Sequence, residues 1–201
     1  MTQETKKYYT RIAEEYAENQ SFEALPKQAE KNLKTYLQNF LRQLNGDKVL
    51  DAGCGTGRDA EYMAGRSLEA IGVDSAPGMI EKAREREHRA RYAVMDIRDL
   101  SFPDNSFNGV WCNTVLQFIP PQHLEKTVNE LQRVLKPGGT LFNTFKVGGE
   151  HRNPEPQRYT VKEEKGLKLL KQAGLKPQET NHYAANGMKT AAILSTNEED
   201  R

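Results

Sequence analysis

Up to about residue 45 the apolar positions repeat with a helical period. Tyr9, Ile12, Ala13 and Tyr16 fall at i, i+3, i+4 and i+7, and Leu33, Tyr36, Leu37, Phe40, Leu41 and Leu44 repeat the spacing. Residues so placed share one face of a helix. Two amphipathic helices are therefore predicted, the second ended by Gly46 in the run NGD at 45–47. They precede the first strand and are expected to cap a sheet.

Beyond residue 46 the pattern changes to short apolar runs alternating with helical ones. KVLDAGC (48–54), LEAIGVD (68–74), RYAVMD (91–96), FNGVWCNT (107–114) and TLFNTFKV (140–147) read as strands. GRDAEYMA (57–64), APGMIEKAREREH (76–88) and PQHLEKTVNELQRVL (121–135) read as helices, the second opened by Pro77. Leu124, Val128, Leu131 and Leu135 lie on one face of the third, and KPGG (136–139) is expected to stop it. Strands alternating with helices predict an α/β fold with a mostly parallel sheet covered on both sides. EHRNPEPQRY (150–159) reads as a loop and TVKEEKGLKLLKQAG (160–174) as a helix. LKPQETNHYAAN (175–186) and MKTAAILST (188–196) read as an antiparallel strand pair at the sheet edge.

A chain of 201 residues with no internal repeat is expected to be a single domain. Its divisions would be a helical cap at 1–45, a ligand-binding core at 46–149, and a C-terminal helix with edge strands at 150–201. A net charge of +1 supplies no global field to draw in nucleic acid or an anionic membrane. No apolar run approaches the roughly 18 residues of a membrane span, and the first residues lack the apolar core of a secretory signal. Cys54 and Cys112 are the only cysteines, without a CxxC pair, and read as small buried thiols in a reducing compartment. Four scattered histidines add no ligand spacing, so no metal is expected. A cytoplasmic location follows as the expectation.

The chemistry is concentrated in VLDAGCGTG (49–57), where Gly53, Gly55 and Gly57 alternate behind an apolar run and Asp51 precedes them. Bare backbone at a strand-to-helix turn lets a ligand approach closely, and the helix amino terminus favours negative charge. In an open α/β sheet such a turn lies beside the ligand crevice. Asp74, ending the second strand, is placed to accept from both hydroxyls of a ribose. GTGRDA (55–60) also fits the loose dinucleotide pattern of a nicotinamide enzyme, with Asp74 at the expected distance. Two cofactor classes fit up to this point.

Four stations in order narrow them. VLDAGCGTG resembles motif I of the class I S-adenosylmethionine-dependent methyltransferases, whose pattern is D/E-x-G-x-G-x-G. GVDSAPGMIEKARE (72–85) resembles the acid ending the second strand, MDIRDLSFPDNSFNGV (95–110) the acid after the third, and LKPGGTL (135–141) the turn after the helix. The resemblance spans roughly residues 45–147 and is to the small-molecule type. It implies a Rossmann-like doubly wound sheet of about seven strands, mostly parallel with an antiparallel edge strand.

The resemblance also implies a cofactor site for S-adenosylmethionine, with S-adenosylhomocysteine as product. Asp51 and the backbone of Gly53, Cys54, Gly55 and Gly57 would hold the methionine end. Asp74 would take the ribose hydroxyls, Asp96 the adenine amino group, and Ile97 the ring. Asn113 would lie under the sulfonium. Arg58 is placed to meet the cofactor carboxylate, or equally to be a solvated helix residue. Ser75, Met79 and Tyr16 belong to the same implied set. The methyl is transferred in line, and a base is needed only if the nucleophile arrives protonated. His151, Tyr16 and Tyr9 are the candidate catalytic residues, His151 because its free pKa is near neutrality; the tyrosines also read as core residues. Tyr8, Gln117, Phe118, Arg152, Arg158 and Tyr159 join them as candidates for the acceptor side.

Asn113 begins NTVL, unlike the Asn/Asp-Pro-Pro-aromatic ending found with methylation of planar amino nitrogens. There is no Pro-Cys pair of the cytosine C5 type either. A small-molecule acceptor is expected, with the protein a monomer or homodimer. The alternatives are an RNA or protein methyltransferase, for which Lys6, Lys7, Arg11 and Lys27 could supply a basic face, and a non-catalytic cofactor-binding module.

Overall fold

The structure, a computed structural model, describes residues 1–86, 89–149, 155–185 and 187–198. Three helices precede the sheet: α1 (Gln3–Arg11), α2 (Ala13–Asn19) and α3 (Lys27–Arg42). Then follow β1 (Lys48–Ala52), α4 (Arg58–Ala64), β2 (Glu69–Asp74), α5 (Pro77–Arg84), β3 (Arg91–Val94) and β4 (Phe107–Cys112). The chain closes with α6 (Leu124–Arg133), β5 (Leu135–Gly149), α7 (Glu163–Gln172), β6 (Leu175–Ala185) and β7 (Met188–Asn197).

The seven strands form one sheet in the order β3-β2-β1-β4-β5-β7-β6. β1 to β5 are parallel, and β7 runs antiparallel to both β5 and β6. The expected edge pair is thus present, with β7 inserted against β5 and β6 outermost. The order reverses at β1, which pairs with β2 on one side and β4 on the other. That reversal opens the crevice in which doubly wound folds hold ligands.

The apolar stripes explain the layers. Leu33, Leu37 and Phe40 of α3 are buried with Ala60 and Met63 of α4 against Val49, Trp111 and Phe142 on one sheet face. On the other face Leu131 of α6 and Leu170 of α7 pack with Leu50, Val110 and Leu141. Burial of this kind stabilises by about 1.5–3 kcal/mol for each large side chain.

Two local predictions differ from the structure. The stripe Tyr9, Ile12, Ala13, Tyr16 is broken at Ile12, which takes φ −95° and ψ 8° between α1 and α2. The bend lets Tyr9, Ile12 and Tyr16 pack with Ala13 onto Ala76 and Met79 at the start of α5. α6 ends at Arg133, ahead of KPGG, which does not stop it but lies within β5; Leu135, expected on the helix face, instead begins β5 paired with Phe107, and the register against β4 shifts before Thr140.

Candidate functional site

The turn between β1 and α4 is built from left-handed glycines: φ is 83° at Gly53, 54° at Gly55 and 82° at Gly57. The N–H groups of Gly53 and Cys54 both donate to the Val73 carbonyl, at 2.7 and 2.9 Å, which folds the turn back over β2. The glycines are there for different reasons. A Cβ at Gly53 would fall 2.3 Å from Val115 Cγ2, and one at Gly57 2.6 Å from the Tyr92 hydroxyl, so both are demanded by the protein's own packing. At Gly55 the nearest atom is Tyr16 Cε1 at 3.6 Å, so this backbone borders open space.

That space is a cavity of about 780 Å³. Gly53, Gly55, Arg58, Asp74, Met79, Asn113 and Tyr16 line it, so much of the implied cofactor set is brought together. Asp51, Cys54, Gly57, Ser75, Asp96 and Ile97 support its walls or lie beyond them.

Asp74 is 8% exposed, and its two oxygens accept from Gly55 N–H at 3.1 Å and Ala76 N–H at 2.8 Å. Burial raises its pKa despite these bonds. Asp51 is buried at 2% exposure, and its Oδ2 has no hydrogen-bond partner among the described residues. Burial, with Asp59 nearby, pushes its carboxyl well above the usual range, against the pull of Arg58. An orphaned acid behind a glycine turn suits a cationic group on a ligand.

Arg58 is ion-paired and largely buried rather than a solvated helix residue. Its Nε and Nη2 donate to the Asp59 carboxylate at 2.7 and 3.2 Å, and its Nη1 to the Gln20 carbonyl at 3.1 Å. It lines the cavity while tying the cap to the turn. Asp59 Oδ2 also accepts from Trp111 Nε1 at 2.9 Å.

Asp96 forms a bidentate pair with Arg98 at 2.9 and 2.8 Å and meets Lys6 Nζ at 3.1 Å. Burial opposes its ionisation, but these partners prevail and hold its pKa well below the usual range. Ile97 is buried in the core, and Ser75 bonds the Met1 sulfur at 3.4 Å. Cys54 and Cys112 are free thiols, both pushed up by burial, in keeping with inert packing.

On the acceptor side, Tyr9 meets Tyr16 and Phe118 edge-to-face, at centroid distances of 5.8 and 5.3 Å. Burial raises both tyrosine pKa values, so each hydroxyl keeps its proton at neutral pH. Gln117 donates to the Thr114 carbonyl at 2.9 Å, while its buried Oε1 has no partner among the described residues. Gln117, Phe118 and Arg158 line the cavity; Tyr8 and Tyr159 do not, although Tyr159 N–H fastens to the Gln117 carbonyl at 2.7 Å. His151 and Arg152 lie outside the described residues. Sequence reasoning missed Tyr36, Lys146 and Tyr183, which complete the wall. A lone lysine in the apolar run TLFNTFKV was the available signal.

Residues 49–139 match a family described as a methyltransferase domain. That match covers less than half of the chain and falls on the stretch that carries the glycine turn, Asp74 and Asp96. The malonyl-[acyl-carrier protein] O-methyltransferase of Serratia marcescens is 36% identical over 104 residues, 51% of this chain and 40% of that protein. The ubiquinone biosynthesis O-methyltransferase of Alkalilimnicola ehrlichii is 31% identical over 132 residues, 63% of this chain and 51% of that protein. The chain thus spans only about half, or less, of the length of these curated relatives. In fold, the chain superposes on 1,6-didemethyltoxoflavin-N1-methyltransferase of Burkholderia thailandensis, solved with 1,6-didemethyltoxoflavin and S-adenosylhomocysteine bound. The TM-score is 0.68 at 18% identity, covering 99% of this chain and 92% of that one. Among the described residues no group of side chains is placed to hold a metal ion, and no helix is long and apolar enough to cross a membrane.

Proposed function

We propose that the protein transfers the methyl group of S-adenosylmethionine to a small organic acceptor. The observation that carries this reading is one cavity shared by the Gly55 backbone, Asp74 and Asn113 on one side and Tyr9, Tyr16 and Phe118 on the other. The methyltransferase relatives support it, since their names place methyl transfer on a malonyl group and within ubiquinone biosynthesis.

The residues present fit the cofactor. Gly55 leaves room where a side chain would intrude, Asp51 has an unsatisfied buried oxygen, and Asp74 is already oriented by two backbone donors. In this reading Asp51 and the Gly53–Gly57 backbone hold the methionine end, Asp74 with Ser75 the ribose, and Asp96 with Ile97 the adenine. Asn113 lies beneath the sulfur, and Arg58, Met79 and Tyr16 close the site. When bound, S-adenosylmethionine supplies a methyl group already activated on a sulfonium. The chain's own task is then to orient the nucleophile and exclude water, and such positioning can supply about 7–11 kcal/mol of the barrier.

Tyr9, Tyr16 and Phe118 form an aromatic wall suited to that exclusion. The two tyrosines act as donors or packing groups rather than bases, because their protons are held. In this reading the chain is a single domain, with 1–45 its helical cap, 46–149 its cofactor-binding core and 150–201 its C-terminal helix and edge strands.

Thermal unfolding with S-adenosylmethionine, S-adenosylhomocysteine or NAD tests the cofactor. A ligand at 100 times its Kd adds about 2.7 kcal/mol, a shift of roughly 5–10 °C for a chain of this size. Formation of S-adenosylhomocysteine in the presence of a small-metabolite pool tests turnover. A shift with NAD alone, or no product with any acceptor, would overturn the reading.

A further inference from the structure

Lys146 stands on β5 at 8% exposure and lines the cavity. Lysines are seldom buried so deeply without a partner of opposite charge, because an ammonium taken from water loses several kcal/mol of hydration. Here the ammonium donates to Thr190 Oγ1 at 2.8 Å and lies 5.9 Å from the centre of the Tyr183 ring. Among the described residues no carboxylate forms an ion pair with it.

Among the described residues the charged group that acts on it is Arg158 rather than an acid; Asp74 lines the same cavity and Glu179 acts on Tyr36. From β6 comes Tyr183, its pKa pushed up to about 12 by burial, and from α3 comes Tyr36, tilted against Tyr183 with ring centres 6.0 Å apart and raised by burial and then by Glu179. From the 155–162 segment comes Arg158, a second cation that lines the same cavity. β7 contributes only the neutral Thr190. The strand backbone is pinned as well, since Val161 N–H donates to the Lys146 carbonyl at 2.8 Å. A fixed, dry ammonium opening on a cavity has the form of a receptor for an anion.

Its place along the sheet agrees with that role. Cys112 of β4 is paired with Asn143 of β5, so Lys146 lies two strand positions beyond the level of Asn113. At 3.3 Å per residue that is about 7 Å, far enough for the anion and the methyl-accepting atom to be separate parts of one small molecule.

We propose that Lys146 binds a carboxylate group of the methyl acceptor and so selects anionic acceptors over neutral ones. This inference rests on the methyl-transfer reading above, but its test does not need the acceptor. The probes are formate, acetate, benzoate and 4-hydroxybenzoate, each compared with its amide at fixed ionic strength. Binding is followed by thermal unfolding and calorimetry, with and without saturating S-adenosylhomocysteine.

At least one carboxylate is expected to bind tenfold or more tighter than its amide. Lys146→Met should weaken that carboxylate ten- to hundredfold, and Lys146→Arg should retain part of the affinity. Both variants should respond to S-adenosylhomocysteine as the parent does, which also shows that they fold. In the parent, carboxylate affinity should fall as pH rises past about 8, the value to which burial and Arg158 lower the Lys146 pKa. The proposal is overturned if no carboxylate exceeds its amide, if Lys146→Met binds as well as the parent, or if affinity holds or rises above pH 8, as it would for a lysine acting as base. Loss of the S-adenosylhomocysteine response alone would count against the methyl-transfer reading and leave the carboxylate comparison intact.

Discussion

The Asp74 carboxylate accepts from the Gly55 N–H at 3.1 Å, joining the end of β2 to the turn that follows β1. The same oxygen pair thus shapes the glycine turn and faces the cavity. Asp74→Ala is expected to weaken S-adenosylhomocysteine about tenfold to a hundredfold, since a charged hydrogen bond is worth about 1.5–3 kcal/mol. Calorimetry decides the matter, and an unchanged Kd would remove Asp74 from the site.

Gly53 and Gly55 make a discriminating pair. In Gly53→Ala the new methyl meets the branched Val115 side chain, so loss of stability by about 1–3 kcal/mol is expected from overpacking and positive φ. Gly55→Ala meets nothing closer than Tyr16, so it should cost less stability and instead impair cofactor binding. Urea unfolding beside a binding titration separates the two. Equal effects on both readouts would contradict the distinction.

Trp111 is the only tryptophan in the chain. It is fully buried, stacked on Phe142 at 4.0 Å and 12°, with its indole N–H on Asp59. Trp111→Phe should destabilise by about 1–3 kcal/mol because it withdraws a buried donor from a carboxylate. In the parent, tryptophan emission should move to the red in a single step on unfolding. A red emission maximum in the native protein would show that the ring is wet.

A pH effect follows from Lys146. Its pKa is lowered to about 8 in the folded protein, whereas an unfolded lysine titrates near 10.4, so between these values the unfolded chain binds more protons. Stability should therefore rise with pH across that window. The parent should gain about 1–3 kcal/mol over Lys146→Met between pH 7 and 10, measured by urea unfolding at each pH. A constant difference would mean that the ammonium is solvated.

Much of this fold was legible because periodicity reports burial directly. Leu33, Leu37 and Phe40 were spaced for one face and are buried on one face. The break at Ile12 was hidden because the apolar stripe runs through it; only α5 shows why the helix bends. In the glycine turn the motif gave the backbone positions, while the division of labour between Gly53 and Gly55 depends on Val115, which lies far along the chain. Lys146 was illegible for a similar reason. Its setting among the described residues depends on α3, β6, β7 and the 155–162 segment, which meet only in the tertiary structure.

The placement of β7 bears on how the protein is made. It is the last strand in sequence, yet it lies between β5 and β6 and pairs with β5 from Thr140 to Gly149. Any nascent chain that has not yet reached residue 188 therefore presents one side of β5 as an unpaired edge. Such edges template association with other chains. Between synthesis of β5 and docking of β7, that edge is open to such association.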